Sequence, residues 1–205
     1  MDRRLALKTL GLLCAPGVRA TAFAQAPARA WRVGFLGSAN APANGLPPAP
    51  LRRGLAGLGY VEGRDVVYYG RWADAKFDRL GALAGELVQL GADVIVVLGW
   101  QAADAARRAT SSIPIVLTGV GDAVESRLVA SLAHPGGNLT GMSDVESVLS
   151  SKRLQLLKQT VPHASRIAVL WNQNDVAMTL RYRRIDEAAR SLGVMVVGLG
   201  VREPD

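Results

Sequence analysis

The run Asp93-Val94-Ile95-Val96-Val97-Leu98-Gly99 constrains the fold of this chain more than any other stretch. Its five consecutive apolar residues show no polar alternation, so a strand made of them is buried on both faces. Such strands belong to parallel sheets covered by helices, and parallel neighbours are joined only by long crossovers. The flanking sequence must therefore alternate strand and helix, and from Trp31 onward it does. Arg32 to Gly37 is a short apolar run ending in Gly-Ser, a strand entering a turn. Residues 39–50, rich in Pro, Ala and Asn, predict a loop. Leu51, Leu55 and Leu58 recur at i, i+4 and i+7 and mark one helix face, stopped by Gly59. A strand over Asp65 to Tyr69 follows, then a second amphipathic helix through Phe77, Leu80, Ala84 and Leu87, ended by Gly91. Beyond the buried strand come a helix from Ala102 to Ala109 and a strand from Ile113 to Thr118. Pro114 sits near the start of that strand, where a missing donor is tolerated. An apolar helical run from Ser126 to Leu132 completes the set.

His134-Pro135-Gly136-Gly137-Asn138-Leu139-Thr140-Gly141 closes the series. It predicts a helix stop, positive φ at one or both of Gly136 and Gly137, and re-entry into the sheet on Leu-Thr-Gly. The pattern then restarts. Leu154, Leu157 and Val161 mark a helix face before Pro162, and Arg166 to Trp171 reads as a strand ending on Asn172. Met178, Tyr182, Ile185, Ala189 and Leu192 mark a long amphipathic helix, and Val194 to Leu199 a last strand. The reading is an α/β protein: a three-layer, Rossmann-like parallel-sheet lobe over residues 30–141 and an incomplete second α/β lobe over 142–205. Two strands and two helices leave sheet edges and apolar faces uncovered. The expectation is therefore truncation in the second lobe, the alternative being that this unit packs onto the first as one larger domain.

The first 24 residues read as a secretory signal rather than part of the fold. Met1-Asp2-Arg3-Arg4 is a short basic start, Leu5 to Val18 is mostly apolar, and Ala22-Phe23-Ala24 is a small-x-small cleavage site. Lys8 and Pro16 interrupt the apolar run, which is too short for a membrane span. Arg3-Arg4-Leu5-Ala6-Leu7-Lys8 also resembles a twin-arginine signal, with Ala6 where a bulky residue is usual. The expected address is the periplasm, by the Sec or the twin-arginine route. Cys14, the single cysteine, lies inside the apolar run behind Leu13, where a lipid-anchored protein wants a small residue, so no lipid anchor is expected. The mature chain then has no cysteine, hence no disulfide, thiolate nucleophile or cysteine metal site. The formal charge of +7 falls to +4 when residues 1–24, which carry a net +3, are removed. The remaining basic residues occur in short pairs such as Arg52-Arg53 and Arg107-Arg108, not in a stripe interleaved with aromatics, so no nucleic-acid partner is expected.

An open parallel sheet binds ligands beyond the carboxyl ends of its strands. Those ends supply Ser38 and Asn40; Gly99, Trp100 and Gln101; Gly121 and Asp122; Ser143; and, in the second unit, Asn172. These glycines, hydroxyls, amides and an indole suit a small polar molecule with a flat part. Each has a plainer reading: Ser38 and Asp122 could cap following helices, as could Asp175. Trp100 could be a core-edge residue and Asn172 a turn residue. His134 and His163 flank prolines 29 positions apart, an improbable metal pair. Gly34-Phe35-Leu36-Gly37 lacks the spacing of a dinucleotide fingerprint, and the chain has neither a P-loop nor a GxSxG elbow. No catalytic residue, cofactor or metal is expected.

Val33-Gly34-Phe35-Leu36-Gly37-Ser38, Leu58-Gly59-Tyr60-Val61-Glu62-Gly63-Arg64, Leu128-Val129-Ala130-Ser131-Leu132, the PGGNLTG run, Lys152-Arg153-Leu154 and Arg166-Ile167-Ala168-Val169-Leu170 together resemble a family of bacterial ABC-transporter substrate-binding proteins that includes tryptophan/tyrosine-type periplasmic binders. The pairing of GYVEGR with PGGNxTG in this order is the specific part. The resemblance implies a type I periplasmic-binding fold whose two lobes close on a small solute, an amino acid or related compound. It also implies delivery to an ABC permease in the inner membrane, with the PGG segment at the lobe junction, approaching a hinge. Relatives usually carry Gly-Thr-Pro where this chain has Gly99-Trp100-Gln101, which changes the pocket wall. The alternatives are a cytoplasmic nucleotide-using α/β enzyme, and a truncated non-binding remnant or sensor input domain.

Overall fold

A computed structural model describes residues 29–144 and 146–202; the signal sequence read at residues 1–24 lies outside them. The first unit is a five-stranded sheet in the order β2-β1-β3-β4-β5, with β1 Trp31–Gly37, β2 Val66–Trp72, β3 Val94–Leu98, β4 Ile115–Thr118 and β5 Leu139–Gly141. Every pairing is parallel. Helices α1 (Ala49–Gly57), α2 (Leu80–Gln89) and α3 (Trp100–Ala109) form the crossovers. A second sheet pairs β6 (Arg166–Asn172) with β7 (Met195–Val201), again parallel, served by α4 (Glu146–Thr160) and α5 (Val176–Ser191).

Side-chain alternation along β1 and β3 builds two cores. Val33, Phe35 and Val96 point to the face that α1 covers with Leu51 and Leu55. Leu36, Ile95 and Val97 point the other way and pack with Leu80, Leu83, Ala84 and Leu87 of α2 and Ala102, Ala103 and Ala106 of α3. The continuous apolar run of β3 is explained by this two-sided burial. The small residues of α3 let it lie close against its neighbours. Gly34 makes room in the same way: a Cβ there would stand 3.2 Å from Leu87.

Several sequence expectations change. No helix forms over Ser126–Leu132, which is a series of turns. Asp122 Oδ1 accepts the N–H groups of Val124 and Glu125, at 3.0 and 2.8 Å, and starts a turn there. Arg127 then takes φ 60° and ends it, and the N–H groups of Leu128 and Val129 both fold back to the Ala123 carbonyl. The apolar spacing was real but serves burial of Leu128 and Val129 against the sheet. Leu58 lies past the end of α1 and is exposed, as are Leu157 and Val161 at the end of α4. Pro135-Gly136-Gly137 does turn with positive φ at both glycines, but it enters the amino end of β5 within the first sheet. The chain leaves that sheet only after Gly141, at the opposite edge, and α4 of the second unit begins at Glu146.

The amino edge is pinned by Asp93, just before β3. Its carboxylate accepts the Arg32 backbone N–H at 2.8 Å and pairs with the guanidinium groups of Arg29 and Arg32. That N–H first, and then the two guanidinium groups, hold Asp93 below the usual carboxylate range. Glu146 is held low in the same sense, chiefly by Arg153. A carboxylate whose folded pKa is depressed stabilises the fold at pH above its unfolded value, about 4, and that contribution disappears as pH falls through the lower folded value. Thermal melts are therefore expected to show stability falling as pH drops below about 4, less steeply in Asp93→Asn than in the parent. Equal slopes for the two would remove Asp93 from this account.

Candidate functional site

The strand order reverses direction at β1: the chain leaves β1 outward to β2, then returns past it to β3. The connections after β1 and β3 consequently run to opposite faces, toward α1 and α3, and open a crevice between them at the carboxyl edge. Ser38 and Gly99 stand just past β1 and β3, where that reversal falls. The Ser38 Oγ lies 3.6 Å, and the Gln101 Oε1 3.9 Å, from the point a Cβ on Gly99 would occupy. Gly99 takes φ 93°, which a side chain would resist, and it stands at the N-cap of α3 with no side-chain cap. The first-turn N–H groups of α3 therefore face the crevice edge. The Gln101 Nε2 is buried with no partner among the described residues.

The loop after β2 holds the loop after β1. Asp74 Oδ1 accepts the Ala41 N–H at 2.9 Å, and the N–H groups of Asp74 and Ala75 donate to the carbonyls of Ala39 and Ser38. The Ala41 N–H, followed by Arg79, keeps the Asp74 carboxyl below its ordinary value. Both Asp74 and Ala75 sit at positive φ, 53° and 59°. Strain of this kind costs about 1–3 kcal/mol per residue and marks positions that the surroundings over-determine. No sequence signal announced it, because neither residue is a glycine.

Gly121, Asp122 and Ser143 come together farther along the same edge. The Ser143 hydroxyl accepts the Ala123 N–H at 3.0 Å and donates to the Gly121 carbonyl at 3.3 Å, tying the ends of β4 and β5. The second unit docks on this knot. A Cβ on Gly121, at φ 78°, would stand 2.7 Å from the Ala177 Cβ at the start of α5. Arg184 pairs with Glu125 at 3.1 Å and Arg181 with Asp144 at 3.8 Å. Asp175 caps α5 by accepting the Met178 N–H at 3.0 Å.

Three of the residues singled out from sequence stand elsewhere. Asn40 is exposed on the loop. Trp100 belongs to the first turn of α3 rather than a loop, and its indole packs into the helix layer beside Phe77, against the α2/α3 core. Asn172 spends its Oδ1 on the Asn174 N–H at 2.8 Å, a turn residue. The residues sequence reasoning missed are Asp74, Ala75, Ala177 and Arg181. The pairing of Gly121 with Ala177 has no local signature across 56 positions.

A parallel α/β sheet with this switch-point crevice is the architecture of type I periplasmic binding proteins. A crystal structure of a conserved domain protein from Vibrio cholerae O1 biovar El Tor superposes with a TM-score of 0.75 at 27% identity, over 84% of this chain and 58% of that one. The ABC domain from Streptococcus pneumoniae in complex with L-Trp superposes with a TM-score of 0.73 at 23% identity, over 84% of this chain and 57% of that one. In sequence, a tyrosine-binding protein of Clostridioides difficile (strain R20291) is 32% identical over 149 residues, 73% of this chain and 43% of that protein. The family model for the ABC transporter substrate binding protein matches residues 45–204. The chain belongs to the ABC transporter substrate-binding protein family. It spans less than half the length of the curated relative and 57–58% of the two solved structures. Among the described residues no helix is long and apolar enough to cross a membrane.

Proposed function

We propose that this chain is the solute-binding component of an ABC importer, exported to the periplasm. In this reading it binds rather than transforms a small solute, an amino acid or related compound, and hands it to a permease in the inner membrane. Residues 30–141 act as the first lobe and 142–205 as part of the second. The observation that carries the reading is the strand-order reversal at β1, beside which Ser38 Oγ, Gln101 Oε1 and the first turn of α3 meet at Gly99. That set offers a polar group the α3 N–H donors, the Gln101 Oε1 as an acceptor and one hydroxyl that can act as either. The side chains of Asp122 and Ser143 and the Gly121 carbonyl are engaged in holding the loop, so in this reading these residues shape the edge of the site through the backbone. Membership of a substrate-binding family and the tyrosine-binding relative favour an amino acid as solute.

Thermal melting of the full chain against amino acids, small organic acids, nucleosides and nucleotides tests the reading. One solute at a hundred times its Kd is expected to add about 2.7 kcal/mol. For a chain of this size that raises Tm by roughly 5–10 °C. Gly99→Val is expected to abolish the rise, since a β-branched side chain resists φ 93° and would crowd Ser38. A panel with no rise, or a rise only with nucleotides, would overturn the proposal.

A further inference from the structure

We infer that Asn44 is a site of spontaneous deamidation, where the folded chain converts its own side-chain amide to a carboxylate. Asn44 alone of the chain's five asparagines precedes a glycine. The Asn44-Gly45 pair lies in an exposed turn on the connection from β1 to α1. A Cβ on Gly45 would meet nothing within 4 Å, so the Gly45 nitrogen is open to approach.

The turn prepares the attack. The Asn44 Oδ1 accepts the Leu46 N–H at 3.2 Å, which folds the side chain forward over the peptide joining Asn44 to Gly45. That bond also draws electrons from Cγ and meets the negative charge that develops on Oδ1, as an oxyanion donor does. One bond opposes the step: the Gly45 N–H donates to the Pro42 carbonyl at 2.8 Å and must first let go. Gly45, at φ 63° with no side chain, swings out of that bond readily. Hydroxide then takes the Gly45 amide proton and the nitrogen bonds to Cγ. The Cγ–Nδ2 bond breaks, and the leaving group takes a proton from water to depart as ammonia, which regenerates hydroxide. Water opens the cyclic imide at either carbonyl, leaving aspartate or isoaspartate. Asn172 has the same forward fold, its Oδ1 accepting the Asn174 N–H at 2.8 Å, but Gln173 follows it and crowds the nitrogen. The Asn138 amide is held by the carbonyls of Thr110 and Ile113. Isoaspartate adds one methylene to the main chain inside the Pro42–Gly45 turn. The Gly45 carbonyl rests so close to Gly70 of β2 that no Cβ fits there, so the lengthened turn loses both its bond and its seat.

Peptide mapping by mass spectrometry tests this on the full chain, kept folded in mildly alkaline buffer and checked by circular dichroism. Acid is expected to accumulate at position 44 while Asn40, Asn138, Asn172 and Asn174 stay amides. The rate is expected to rise about tenfold per pH unit, following the deprotonated fraction of the Gly45 amide. Asn44→Gln, which needs a larger ring, is expected to abolish the change at this position. Gly45→Ala, which crowds the nitrogen, is expected to slow it about tenfold. Hydrogen exchange on the isolated isoaspartate form is expected to show lost protection at the Gly45 amide. Asn44→Asp, which carries the charge on an ordinary backbone, is expected to keep that protection. An amide that persists at position 44 in the folded chain, equal rates at Asn44 and Asn172, or unchanged Gly45 protection in the isoaspartate form would overturn the inference.

Discussion

Replacing Gly141 by alanine is expected to cost about 3–5 kcal/mol and to lower Tm by about 10 °C or more. Gly141 ends β5 at φ 137°, and a Cβ built on it would stand 2.4 Å from the Leu117 carbonyl oxygen and 2.5 Å from the Leu117 nitrogen. Leu117 is its partner in the β4–β5 ladder. Two effects add: backbone strain of about 1–3 kcal/mol for a side chain at that φ, and an overlap with backbone that no rotamer can relieve. The strand must move off β4 or the turn must change, and either weakens the edge from which the chain crosses to α4. Denaturant melts of parent and Gly141→Ala decide it; an unchanged midpoint would mean that β5 is held less firmly than its ladder implies.

The second large effect lies on the inner side of α2. Leu87 is fully buried and packs over Gly34 of β1. Leu87→Ala is expected to destabilise by about 2–5 kcal/mol, transfer loss plus the cavity left behind. Gly34→Ala alone is expected to destabilise as well, since its methyl would meet Leu87 at 3.2 Å and Ala92 at 3.3 Å. Together the two changes are expected to be less harmful than their sum, because the new methyl occupies space the leucine vacates. A double-mutant cycle measures that coupling, expected at about 0.5–1 kcal/mol or more. Strict additivity would show that α2 does not rest on β1 in this way.

Much of this architecture was legible in the residues, for identifiable reasons. The apolar run of β3 forced a two-sided parallel sheet, and all seven strands and the main helices fell near their predicted places because periodicity and glycine stops mark them. Resemblance supplied the family, which the matches to residues 45–204 and to the tyrosine-binding relative bear out. The errors came where long-range packing overrode local signals. Leu128 and Val129 have helical spacing yet are placed by an Asp122 turn and a left-handed Arg127. Trp100 reads as a ligand wall in a chain laid out on paper, but the helix starts one residue after Gly99 and turns the indole outward into the α2/α3 layer. The candidate site is readable in the sequence only as a set of strand ends, not as contacts. Ser38, Gly99 and Gln101 meet because β1 and β3 are neighbours in the sheet. The left-handed backbone at Asp74 and Ala75 answers to the loop above it, so no residue type reports it.

The all-parallel ladders also govern how quickly the molecule can be made. Among the described residues no two strands are joined by a hairpin, so each pairing awaits a crossover. β1 pairs with β2, from Val66 onward, and with β3, from Val94 onward. At synthesis rates of about 5–20 residues per second, β1 emerges and waits on the order of seconds for each side to be covered. With its contacts this far apart in sequence, the domain belongs among the slower folders of its size, and its apolar strands stay available to chaperones while it grows.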